Sequence, residues 1–83
     1  MIFNSYNKLS KREKQIFHLA IRGFSNIKMS EKLKISLGTI ETHRDKIYKK
    51  LNIHDKVNLV LFAIKNDLIS KEILNAEELK KAS

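Results

Sequence analysis

The sequence predicts an all-α domain, and three observations carry that prediction. Apolar residues recur at helical spacing along most of the chain, and no stretch alternates apolar and polar residues as a half-buried strand does. Proline is absent and glycine occurs only twice, so the usual punctuation of strands and hairpins is scarce. Eighty-three residues hold one small domain whose core is a handful of side chains. That size excludes a dinucleotide-binding α/β domain, a (β/α)₈ barrel or a multi-domain enzyme.

Residues 1–8 read as an N-terminal arm. The first predicted helix spans residues 11–22, with Ser10 as N-cap, Glu13 three positions later completing a capping box, and Gly23 as a left-handed stop. Ile16, Phe17, Leu19 and Ala20 form its apolar stripe, extended backwards by Leu9. A short second helix follows Ser25 and ends near Leu33, with Ile27, Met29 and Leu33 as core contacts; Ile35 plugs the core from the turn. The third helix starts after Ser36 and runs to Leu51. At about 100° per residue, Ile40, Arg44, Ile47 and Leu51 share one arc, while Thr42, Asp45 and Lys49 occupy the opposite one. Arg44 sits at the edge of the buried arc, where its head snorkels outward.

Asp55 caps a fourth helix that continues to about Lys65. Val57, Leu59, Val60, Leu61, Phe62, Ala63 and Ile64 leave it almost no polar face. Val57, Leu61 and Ile64 fall on one arc, and Leu59, Val60 and Ala63 on another. One helix of so small a domain cannot bury both faces against its own core. Either the chain after residue 69 covers the second face, with Ile73 and Leu74 over Phe62, or a second molecule does, or both. Residues 70–83 read as a short helical extension with Ser70 or Asn75 as cap.

Charge is distributed unevenly. The chain carries seventeen Lys and Arg against nine Asp and Glu, a net charge of +8 with a pI near 9.9. Residues 1–54 hold twelve basic and four acidic residues, a net +8, whereas residues 55–83 hold five of each. A basic surface confined to the first two thirds suits a polyanion such as nucleic acid. Cysteine is absent, which excludes disulfides and thiolate chemistry and fits a reducing cytosol. His18, His43 and His54 lack ligand spacing, so no metal or cofactor is expected. No phosphate loop, nucleophile elbow or acid pair is visible, so no enzyme is expected. No apolar run approaches the ~20 residues of a membrane span, and the N-terminus lacks the apolar stretch of a signal peptide.

A helix, a short helix, a tight turn and a long helix follow the order of a helix-turn-helix. The residues are more specific than the order. Leu9-Ser10-Lys11-Arg12-Glu13, Ile16-Phe17-x-Leu19-Ala20, Gly23-x-Ser25-Asn26, Leu33-x-Ile35-Ser36, Thr39-Ile40-Glu41-x-His43, Ile47, Lys50-Leu51 and Ile53 resemble the LuxR/GerE-type DNA-binding domain of bacterial transcription regulators. The resemblance runs ungapped over residues 9–69. It implies a four-helix domain whose third helix enters the major groove and whose fourth dimerises, here followed by the helical extension of residues 70–83. With eight residues ahead of the motif, a single-domain regulator without an attached sensor is expected. A sigma-factor-like polymerase segment shares the Arg-Glu start, but Thr39-Ile40-x-x-His43 and the fourth helix separate the two.

The resemblance implies base contacts from Glu41, Thr42 and Asp45, and Lys49 lies on the same outward arc. Glu and Asp accept from cytosine N4, and Thr touches a thymine methyl. Two carboxylates on this face depart from the basic or amide residues frequent in relatives; they act against wrong sequences, or simply pair with Arg44, Lys46 and Lys49 along the helix. Ser25, Asn26, Ser36 and Thr39 stand at helix starts, where they contact phosphate, cap the helix, or both. Lys46 and Lys50 flank the reading face on the phosphate side. Lys28 replaces the family's Glu, losing a capping box but placing a cation near the DNA backbone. His43 anchors the third helix, by a phosphate bond among other ways, and Arg44 is a further phosphate candidate. Lys11, Arg12 and Lys32 are weaker ones, equally explained as solvated surface.

These readings lead to a sequence-specific, homodimeric DNA-binding regulator in the bacterial cytoplasm, its partners double-stranded DNA and a second copy through Val57, Leu61 and Ile64. The alternative is a protein-interaction module that pairs with another LuxR-type regulator or acts on RNA polymerase.

Overall fold

The computed structural model describes residues 2–68. Five helices occur among them: α1 (Ile2–Asn7), α2 (Lys11–Ile21), α3 (Asn26–Leu33), α4 (Leu37–Leu51) and α5 (Lys56–Lys65). The four helices after α1 match the sequence expectation to within a residue or two at each end. The helical extension, with Ile73 and Leu74, lies outside the described residues.

Each of these four helices begins on the side chain expected to cap it. The Ser10 hydroxyl accepts from the Glu13 N–H at 3.1 Å while Oε1 of Glu13 accepts from the Ser10 N–H at 2.9 Å, a complete capping box. Ser25 accepts from the Lys28 N–H, Ser36 from the Thr39 N–H and Asp55 from the Asn58 N–H. The start of α3 therefore holds without the Glu that Lys28 displaces.

The helices end on one repeated device, of which only Gly23 was legible in the sequence. Gly23 (φ 96°), Lys34 (φ 58°), Asn52 (φ 56°) and Asp67 (φ 55°) all adopt the left-handed conformation. The next N–H reaches back across the last turn in each case: Phe24 to Leu19 O, Ile35 to Ser30 O, Ile53 to Tyr48 O and Leu68 to Ala63 O. This is the Schellman arrangement, which satisfies carbonyls that the helix end would orphan. The residue after each left-handed position is apolar, and Phe24, Ile35, Ile53 and Leu68 all pack against the core. Ile35 thus plugs the core from its turn as the sequence suggests.

The core takes Ile16, Phe17 and Ala20 from α2, Met29 from α3, Ile40 and Ile47 from α4, and Leu59 and Ala63 from α5, all essentially buried. Burying each of the larger side chains contributes about 1.5–3 kcal/mol. Phe17 sits at the centre, edge-on to Phe62 at 6.1 Å and to Tyr6 at 5.5 Å. Through these contacts α4 packs on both α2 and α3, while α5 packs on α2.

Two expectations need correction. Residues 1–8 were expected as an arm, yet residues 2–7 form α1, for which no cap or periodic pattern gives warning. Tertiary contact explains it: Tyr6 packs on Phe17, and its hydroxyl meets Nε2 of His18 at 2.8 Å. Burial and the cations of Arg22 and Lys14 hold His18 below the ordinary imidazole pKa, and burial raises that of Tyr6. Ile27, expected in the core, is 59% exposed, because Met29 and Leu33 occupy the inner side of α3.

Candidate nucleic-acid interface

The third predicted helix, now α4, is amphipathic in the way its sequence indicates. Ile40, Ile47 and Leu51 are buried, whereas Glu41, Thr42, Asp45, Lys46 and Lys49 are exposed. Among the described residues no ion pair ties Glu41 or Asp45 to a neighbouring cation, so the pairing along the helix that would occupy them is not formed. Ser36 and Thr39 serve the helix start, their hydroxyls 2.8 Å apart, and both remain exposed.

Beside this face, α3 and α4 are joined by a polar junction absent from the sequence reading. Nη1 of Arg44 donates to Oδ1 of Asn26 at 2.6 Å, and Nη2 donates to the Tyr48 hydroxyl at 2.7 Å. The guanidinium also lies 5.5 Å from the centre of the Tyr48 ring. The Arg44–Tyr48 spacing of four residues is visible in the sequence, but the link to Asn26 spans eighteen residues and needs the tertiary fold. Asn26 and Arg44 are thus brought together, with Ser25 and Lys28 exposed beside them.

Lys50 is placed differently from expectation. Its ammonium lies 2.7 Å from Oε1 of Glu13, so its first partner is a buried carboxylate of α2. Burial alone would push the Glu13 carboxyl up, but the Lys50 ammonium, the Ser10 N–H and His43 outweigh it and hold the pKa below the ordinary value. One carboxylate thereby closes the N-terminus of α2 and ties down the C-terminal half of α4. His43 shares this junction, and its Nδ1 is buried without a hydrogen-bond partner among the described residues. Lys32 lies over the Phe24 ring, 5.8 Å from its centre. No three His, Asp or Glu side chains come together as a metal site among the described residues.

On α5, Leu59, Phe62 and Ala63 are buried, while Val57 is 69% exposed, Leu61 is 48% exposed and Ile64 is half-buried. Phe62 meets Phe17 edge-on on its inner side; the expected cover of Phe62 by Ile73 and Leu74 lies outside the described residues. Lys56, Val57, Val60 and Leu61 line a shallow apolar hollow on the outer side.

The family model of the bacterial regulatory proteins of the luxR family matches residues 7–63. The chain belongs to this family. Its LuxR-type domain is 43% identical over 61 residues to the oxygen regulatory protein NreC of Staphylococcus carnosus, and 43% and 41% identical to the NreC proteins of Staphylococcus epidermidis and Staphylococcus aureus. The aligned stretch covers 74% of the chain and 28% of each relative, so the chain spans little more than a quarter of the length of the proteins it matches. Family membership makes this a DNA-binding domain of transcription regulation, built around the helix-turn-helix of α3 and α4. Among the described residues no helix of this LuxR-type domain is long and apolar enough to cross a membrane.

Proposed function

We propose that the chain is a sequence-specific, homodimeric regulator of transcription in the bacterial cytoplasm, reading the major groove with α4 and pairing through α5. The observation that carries the reading is the division of α4, which buries Ile40, Ile47 and Leu51 while leaving Glu41, Thr42, Asp45 and Lys49 in solvent. Base edges would be read by these four: Lys49 suits guanine O6 and N7, Thr42 a thymine methyl, and Glu41 and Asp45 cytosine N4. Ser25, Asn26, Lys28, Ser36, Thr39, His43 and Lys46 surround them as the phosphate-facing set, which fixes register without reading sequence, and Arg44, expected among them, is engaged by Asn26 and Tyr48. Lys50 belongs to the Glu13 junction first and to phosphate only secondarily. With α5 paired through Val57, Leu61 and Ile64, two copies of α4 would sit about 34–36 Å apart on one side of the duplex.

The 61 residues shared with the staphylococcal relatives and the family match over residues 7–63 support DNA recognition by this chain; oxygen regulation is said of those relatives. Anisotropy titration against labelled genomic fragments at two salt concentrations tests the reading. Binding that weakens steeply with salt, as phosphate neutralisation requires, is the expected result. Absence of binding at low salt rejects it. The carboxylates of Glu41 and Asp45, unpaired among the described residues, and the exposed Val57 and Leu61 of α5 favour a second reading, a module that pairs with another LuxR-type regulator or acts on RNA polymerase. Activity that survives Lys46→Ala with Lys49→Ala but is lost with Leu61→Asp would select this second reading.

A further inference from the structure

We infer that Arg44 is a positioning residue that turns Asn26 and Tyr48 into outward-facing hydrogen-bond donors for the DNA backbone, with the Tyr48 hydroxyl as a phosphate contact in its own right. The inference rests on the DNA-binding reading above and assigns its chemistry at one edge of the interface. A guanidinium has five N–H donors and no acceptor, so whatever meets it must present a lone pair. At Asn26 this settles the orientation of the amide: Oδ1 faces Arg44 at 2.6 Å, and both hydrogens of Nδ2 are left without a partner among the described residues. At Tyr48 the hydroxyl accepts from Nη2 at 2.7 Å, which leaves its own hydrogen to donate elsewhere. The guanidinium against the Tyr48 ring holds ring and hydroxyl as a unit.

The three side chains are half-buried at the seam between α3 and α4, beside the exposed reading face. Phosphate oxygens only accept hydrogen bonds. A seam that shows N–H and O–H hydrogens outward over a fixed positive charge, with its acceptors turned inward, is complementary to a phosphodiester. The hydrogen bond to Arg44 gives Tyr48 this polarity.

Four variants test the inference by anisotropy with a labelled mixed-sequence duplex, since phosphate contacts act on any sequence. Asn26→Asp keeps an acceptor for Arg44, in fact a charged one, but shows DNA a carboxylate oxygen in place of Nδ2. Its melting temperature should be unchanged or higher and its affinity reduced about tenfold or more, the scale of a lost charge-assisted hydrogen bond. Tyr48→Phe keeps the ring and removes the hydroxyl; about threefold weaker binding is expected, near the low end for a neutral hydrogen bond. Arg44→Lys keeps the charge but not the two-armed bridge, and should lose affinity while retaining the slope of log affinity against log salt. Wild-type affinity in both Asn26→Asp and Tyr48→Phe overturns the inference while the DNA-binding reading stands. So does full affinity in Arg44→Lys with a slope reduced by about 0.9 in Arg44→Gln, because Arg44 would then neutralise phosphate directly. Should Asn26→Asp fail to fold, Tyr48→Phe decides. A wild-type chain that does not bind DNA at low salt overturns both readings together.

Discussion

Replacing Glu13 by glutamine removes the charge facing Lys50 but leaves an amide oxygen that can accept the Ser10 N–H, so the capping box of α2 survives. What is lost is the charge-assisted bond across to α4. Its worth lies between two limits. Exposed ion pairs contribute about 0.2–1 kcal/mol, and breaking a fully buried pair costs about 3–5 kcal/mol. Here the side chain of Glu13 is 4% exposed and that of Lys50 is 37% exposed. With the carboxylate gone, Lys50 can swing into water, so Glu13→Gln should cost about 1–1.5 kcal/mol. Lys50→Met is the harsher change, because it leaves the buried carboxylate with only Ser10 and His43 to support it; about 2–3 kcal/mol is expected.

Urea denaturation followed by circular dichroism measures both losses. The pH dependence supplies an independent check. The Glu13 carboxyl has a folded-state pKa below its ordinary value, so its contribution is complete above the unfolded pKa of about 4.3 and disappears as pH falls through the lower folded value. The stability gap between wild type and Glu13→Gln should therefore be constant near neutrality and close in acid. Taking the difference cancels His18, whose depressed pKa costs stability in both proteins as pH falls below the ordinary imidazole range. A Lys50→Met variant as stable as wild type, or a gap that widens in acid, would refute the assigned junction.

Further outcomes follow from single positions. A Cβ at Gly38 meets nothing within 4 Å, so Gly38→Ala should stabilise the helix by about 0.5–1 kcal/mol in urea denaturation; a loss of DNA affinity alongside it would locate the duplex against this turn. Lys34 holds a left-handed φ of 58°, and Lys34→Gly should raise the melting temperature by several degrees, on the order of 1 kcal/mol of relieved strain. Leu61→Asp sits on an exposed site and should leave the monomer's stability within about 0.5 kcal/mol while abolishing self-association in sedimentation equilibrium. Phe17→Ala, at the centre of the aromatic cluster, should cost about 3–5 kcal/mol and leave little folded protein for such a small domain.

Local signals in the amino-acid order determined the four helices after α1, their caps and the buried stripe of α4, because capping and 3.6-residue periodicity act within one or two turns. They also placed the excess charge and carried the family resemblance, and so the expectation of DNA binding. Sequence could not show which groups meet across turns. Lys50 read as a free cation until the fold set it on Glu13, thirty-seven residues away, and Arg44 read as a snorkelling side chain until α3 brought Asn26 to it. Helix α1 exists because Tyr6 finds Phe17 and His18, a contact no local pattern announces. Hydrogen bonds and ion pairs between helices depend on crossing geometry, and that geometry is decided only when the core packs.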